Sequence, residues 1–202
     1  SSDLAAYDET VKAVLADVQL ASAGRAQPLA VTRDAAPTSL MLAPLADIPP
    51  AQRLAQRYHA VVVPFDSLQD SISLEEVQAR WSGSGTNPLW AAEESAADLE
   101  AVLGPLSGPA LPDWELLAKL QGEPGAVGLL PFDRLDPTFK VLLLDGVNLL
   151  SNQLADGAYP LAIGLRLTGD PSSELAEALQ RPLAALTNRD PQRLTSLIMT
   201  GV

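Results

Sequence analysis

Apolar and polar positions along the chain repeat with two different periods. Over residues 3–22 (DLAAYDETVKAVLADVQLAS) apolar side chains recur at helical spacing behind Asp3, a plausible N-cap, which predicts a helix. Residues 60–65 (AVVVPF) and 126–132 (AVGLLPF) carry no such alternation. Each is an unbroken apolar run, the pattern of a strand buried on both faces, and each is closed by a Pro. Strands are also predicted over 28–32, 39–45, 88–92, 139–144 and 159–168. Helices are predicted over 49–58, behind a Pro pair suited to a first turn, and from the capping box of Ser73 and Glu76 to Trp81. Further helices follow Ser95, ending at Gly104, and span 113–121 and 172–187, the last broken at Pro182. Strands that alternate with helices indicate an α/β fold with a mixed or mostly parallel sheet.

One phrase occurs twice. Residues 60–68 read AVVVPFDSL and residues 126–135 read AVGLLPFDRL, so Pro-Phe-Asp-x-Leu twice follows a buried strand. In open α/β sheets the carboxyl edge is where ligands bind. The repeat predicts two similar lobes that present Phe-Asp pairs to one cleft. The expected ligand-binding residues are therefore Phe65, Asp66 and Ser67 after the first strand, Phe132 and Asp133 after the second, and Ser95 at a helix start. Helix starts offer backbone N–H groups to anions, but Ser and Asp also cap helices for stability alone, at about 1 kcal/mol each. Trp81, Trp90 and Trp114 fit either a saccharide surface or packing at the lobe surfaces, and packing is the commoner use.

Composition narrows the chemistry. With 202 residues, 47% of them hydrophobic, the chain can bury a core as one large domain or two small lobes. Its net charge of −12 and its 13 scattered basic residues argue against nucleic acid and anionic membrane surfaces. There is no Cys, which excludes disulfides and thiolate chemistry. The single His, His59, supports neither a metal site nor a Ser-His-Asp triad, because it precedes a strand rather than ending one. Glu75-Glu76 and Glu93-Glu94 are sequence neighbours about 100° apart on a helix and form no carboxylate dyad. No phosphate-binding Gly-rich loop follows a strand. The expectation is a protein that is not an enzyme and uses no cofactor and no metal.

The order of motifs resembles that of bacterial phosphate-type solute-binding proteins. The stretch 61–83 (VVVPFDSLQDSISLEEVQARWSG) resembles their strand followed by a Ser-Leu-x-x-Glu helix start. EPGAVGLLPFDRLDPTFKVLLLDG resembles their Pro-Gly-Ala strand and its return strand, and Gly157-Ala158-Tyr159-Pro160-Leu161 resembles their Gly-x-Tyr-Pro-Leu segment. The resemblance spans about residues 60–168. It implies a two-lobed type II periplasmic-binding-protein-like fold with mixed sheets and a small second lobe. On that pattern, lobe one is 1–83 plus 137–195 and lobe two is the insert 84–136. The family's Arg-x-x-x-Ser-Gly-Thr segment would fall at Ala92-Glu93-Glu94-Ser95; only Ser95 is retained, and acidic residues stand beside it.

The tail LTSLIMTGV resembles the opening strand of the capsule and poly-gamma-glutamate synthesis family. This leads to the expectation that the chain is cut from a longer protein, with 196–202 starting a following domain. The implied role is an extracytoplasmic solute-binding-like module, periplasmic or at the cell surface, in an anchored or secreted chain. It would bind a small polar solute or a polymer end and serve a cell-envelope polymer synthesis protein. Its partners would be that ligand and the following domain, with no nucleic acid and no direct insertion into a membrane. The alternative is a degenerate, non-binding interaction domain that positions a catalytic neighbour.

Overall fold

The computed structural model describes residues 30–31, 38–169, 183–184 and 186–194. The helix expected at 3–22, most of the one at 172–187 and the tail from 195 lie outside the described residues.

Nine strands and three α-helices are described. The strands are β1 (Ala30–Val31), β2 (Thr38–Pro44), β3 (Ala55–Pro64), β4 (Ser71–Ile72), β5 (Leu89–Ala91), β6 (Val127–Pro131), β7 (Phe139–Val141), β8 (Leu143–Leu144) and β9 (Ala162–Gly169). The helices are α1 (Leu74–Trp81), α2 (Glu93–Leu103) and α3 (Asp113–Gly122). Seven strands form one mixed sheet in the order β1-β2-β9-β3-β6-β5, with β7 also on β3; β4 and β8 pair separately in parallel.

Strand β3 organises the sheet. Its first part, Ala55–Tyr58, runs antiparallel to β9. From His59 to Val62 it pairs with β6 instead, and Val62–Pro64 pairs with β7. Partners thus change at Tyr58–His59, in mid-strand. Residues 57 to 63 of β3 are all buried, as the unbroken apolar run at its end predicts. The core is built from this strand, β6, Val77 and Trp81 of α1, Leu99 of α2, and Leu116 and Leu120 of α3. Gly128 lets α3 lie close to the sheet: an added Cβ would stand 2.9 Å from Leu120 Cδ1 and 3.0 Å from Val62 Cγ2.

Most predicted elements form where the pattern puts them. Ser73 caps α1, accepting a hydrogen bond from Glu76 N at 3.1 Å. Three readings change. Residues 49–58 give only a 3-10 turn at Pro50–Gln52, and β3 already begins at Ala55. Within β3, Arg57 and His59 are buried against partners from α2. Helix α2 starts at Glu93 with Ala92 as N-cap, so Ser95 lies inside its first turn rather than before it. The run 139–144 divides into β7 and β8, which join different sheets. No described helix is long and apolar enough to cross a membrane.

Candidate functional site

Strands β5 and β6 are parallel, so both end at the same edge of the sheet. Helix α2 leaves β5 there directly. A bridge between Ala92 and Leu111, with Glu93 N donating to Leu111 O at 2.9 Å, sets the start of α3 beside the start of α2. A 3-10 turn, Phe132–Arg134, leaves β6 at the same edge. Three chain turns thus gather where a parallel pair ends, the usual position of a ligand crevice in α/β sheets. The partner change in β3 lies against this edge, because His59 pairs with Pro131.

A buried polar cluster fills the junction. Ser95 and Asp98 are three apart on α2 and share a face. His59 Nδ1 lies 2.9 Å from Ser95 Oγ, and His59 Nε2 lies 3.2 Å from Asp98 Oδ2 without hydrogen-bond geometry. Arg57 Nε donates to the same Asp98 oxygen at 2.5 Å, and Arg57 Nη2 donates to Glu94 Oε1. Asp98 Oδ1 has no hydrogen-bond partner among the described residues. Burial alone would raise the Asp98 pKa. The adjacent His59 ring, with the charge and hydrogen bond of Arg57, outweighs it and holds the carboxyl below its ordinary value.

Toward solvent, Arg134 Nε lies 4.0 Å from Glu94 Oε2 and 3.6 Å from Asp113 Oδ2. The Asp113 carboxyl is pushed up by burial, countered by Arg134 and reinforced by Glu94 and Asp133. Phe132 lies under the Arg189 guanidinium at 5.8 Å, and Arg189 also covers Tyr58 at 5.5 Å. Asn188 Nδ2 donates to Asp133 Oδ1 at 3.4 Å.

Of the six residues singled out in the sequence, three come together here: Ser95, Phe132 and Asp133. Phe65, Asp66 and Ser67 do not join them. The two Pro-Phe-Asp strands are antiparallel neighbours, so their tips point to opposite ends of one pairing. Pro64 is five residues beyond His59, which puts the two tips roughly 17 Å apart at ~3.4 Å per residue. Phe65 is 73% exposed, and its N–H donates to Thr138 O at 3.0 Å in the turn that follows β3.

Sequence reasoning missed Arg57, Glu94, Asp98, Asp113 and Arg134. The Ser95/Asp98 spacing on a helix face was the available signal. It also set aside a Ser-His-Asp arrangement that the fold does assemble. Ser95, His59 and Asp98 are nevertheless each 0% exposed, so the hydroxyl is not presented to a substrate as an acyl-transfer nucleophile must be. Among the described residues no group of three His, Cys, Asp or Glu side chains could hold a metal ion.

No family model matches the chain, and no curated protein matches it in sequence. Solved structures do. An ABC-type phosphate transport receptor from Vibrio cholerae aligns with a TM-score of 0.54 at 16% identity, covering 73% of this chain and 73% of that one. A putative phosphate ABC transporter substrate-binding protein from Clostridium perfringens, with bound phosphate, aligns at 0.47 and 12% identity over 73% and 72% of the two chains. A possible phosphate binding protein from Planctomyces limnophilus gives 0.46 and 12% over 74% and 80%. At these identities the likeness is one of fold, and it rests on the Vibrio cholerae receptor: the chain has an α/β fold of the type II periplasmic-binding-protein kind, built on a mixed sheet.

Proposed function

We propose that the chain is a solute-binding-like module that works outside the cytoplasm and takes a small polar ligand, free or as a polymer end, at the junction where β3 changes partners. On this reading the two lobes are joined where β3 passes from β9 to β6, at Tyr58–His59. The observation that carries this reading is the gathering of the α2 start, the α3 start and the Phe132–Arg134 turn at the shared end of β5 and β6, over a buried polar cluster. Ligand contacts fall to the α2 start with Glu94 and to Phe132, Asp133 and Arg134. Ser95 supports the floor through His59. Phe65, Asp66 and Ser67, at the other end of β3, belong to no part of this site. The resemblance of the tail to capsule and poly-gamma-glutamate synthesis proteins supports an accessory role beside a following domain of the same chain.

A second reading, a non-binding interaction domain, is favoured by one observation: the Arg57 guanidinium already pairs with both Glu94 and Asp98. Thermal-shift titration with phosphate, neutral sugars, glutamate and oligo-glutamate separates the two, because a ligand that binds only the folded state raises Tm with concentration. The module reading expects at least one of these to raise Tm in a saturable way. A flat response to all of them supports the interaction domain.

A further inference from the structure

Two guanidinium groups at the junction converge on one carboxylate. Arg57 reaches Glu94 Oε1 from the floor, and Arg134 approaches Glu94 Oε2 at 4.0 Å from the rim. Arg57 is buried, whereas the Glu94 side chain is 34% exposed, so the carboxylate lies between the interior and solvent. Glu94 is the second residue of α2, where backbone N–H groups have no partner within the helix. The N-cap, Ala92, offers them no side-chain hydrogen bond. Two guanidiniums beside a helix start suit an oxyanion, and here the Glu94 carboxylate of the same chain stands between them.

We propose that Glu94 is a built-in occupant of the oxyanion position at this junction, which makes it the residue that excludes free phosphate-like anions and restricts the ligand to uncharged or cationic polar groups. This rests on the reading of the junction as the ligand site and names the ligand class for it. An incoming phosphate would have to displace a tethered carboxylate while passing Asp113 and Asp133, whose charges bear on the same rim. A sugar hydroxyl or an amine meets no such competition, because the carboxylates of Glu94 and Asp133 accept hydrogen bonds from either. A polymer end would enter by an amine or hydroxyl rather than by its carboxylate.

Calorimetric titration of the folded chain with inorganic phosphate tests this. Wild type is expected to give no saturable heat at millimolar phosphate. Glu94→Ala is expected to bind phosphate at least tenfold more tightly than wild type, and the gain is expected to disappear in Glu94→Ala combined with Arg134→Gln. Glu94→Gln, which keeps the volume and removes the charge, is measured alongside in case the alanine variant does not fold, and a gain of the same sign is expected. Folded variants with no gain overturn the proposal, as does wild-type phosphate binding that Glu94→Ala leaves unchanged. If a sugar binds wild type while the Glu94 variants gain no phosphate affinity, the junction is still a ligand site and only the role given to Glu94 fails.

Discussion

Ser95 and Asp98 each hold a buried partner that has little alternative. The Ser95 hydroxyl is the group opposite His59 Nδ1, and both residues are fully buried. Ser95→Ala leaves that nitrogen unpaired, and the expected loss of stability is about 1–3 kcal/mol in urea unfolding, without any need for a ligand to reveal it. Asp98 answers both Arg57 and His59. Removing its charge takes one of two counter-ions from the buried Arg57 guanidinium, which keeps Glu94, so Asp98→Asn is expected to cost about 1–3 kcal/mol. The pH dependence follows from the direction of the Asp98 shift. Its native pKa lies below the unfolded value, so its contribution is complete above the ordinary carboxylate pKa of about 3.9. That contribution is lost as pH falls from there through the depressed native pKa. Acid unfolding of wild type is therefore expected to steepen below about pH 4, and Asp98→Asn is expected to lack that part of the slope.

Elements here follow local pattern except where a polar residue is rescued by a distant partner. The apolar end of β3, the Ser73 cap, and helices α1 and α3 were legible because every residue in them agrees with the element it forms. Residues 55–59 were not. The side chains that pair with Arg57 and His59 come from α2, 36 to 41 residues along the chain, and no local window contains them. The repeated Pro-Phe-Asp phrase correctly marked two buried strands but carried no information on their relative direction, which the connections decide. Close contact between elements was likewise invisible. Gly128 reads as a weak point in a strand, yet it is where α3 meets the sheet. Gly128→Ala drives a methyl against Leu120 and Val62, and a loss of about 1–3 kcal/mol is expected by thermal or urea unfolding.

At the scale of the described molecule, one strand belongs to both halves of the sheet, and Arg57, His59 and Asp98 are buried where it passes from one to the other. Of the side chains gathered at this end of the sheet, Ser95, Phe132 and Asp133 were singled out in the sequence through helix starts and strand ends, while Arg57, Glu94, Asp98, Asp113 and Arg134 were not, because their partners are distant in sequence. The central claim is that ligand recognition belongs to the common end of β5 and β6. Its most direct test is amide chemical-shift mapping of the isotopically labelled chain during titration with whichever of the sugars, glutamate or oligo-glutamate raises Tm. The account predicts saturable shifts gathered at residues 92–95, 111–114 and 132–134. Shifts centred on residues 65–68, or no saturable shift with any member of the panel, would contradict it.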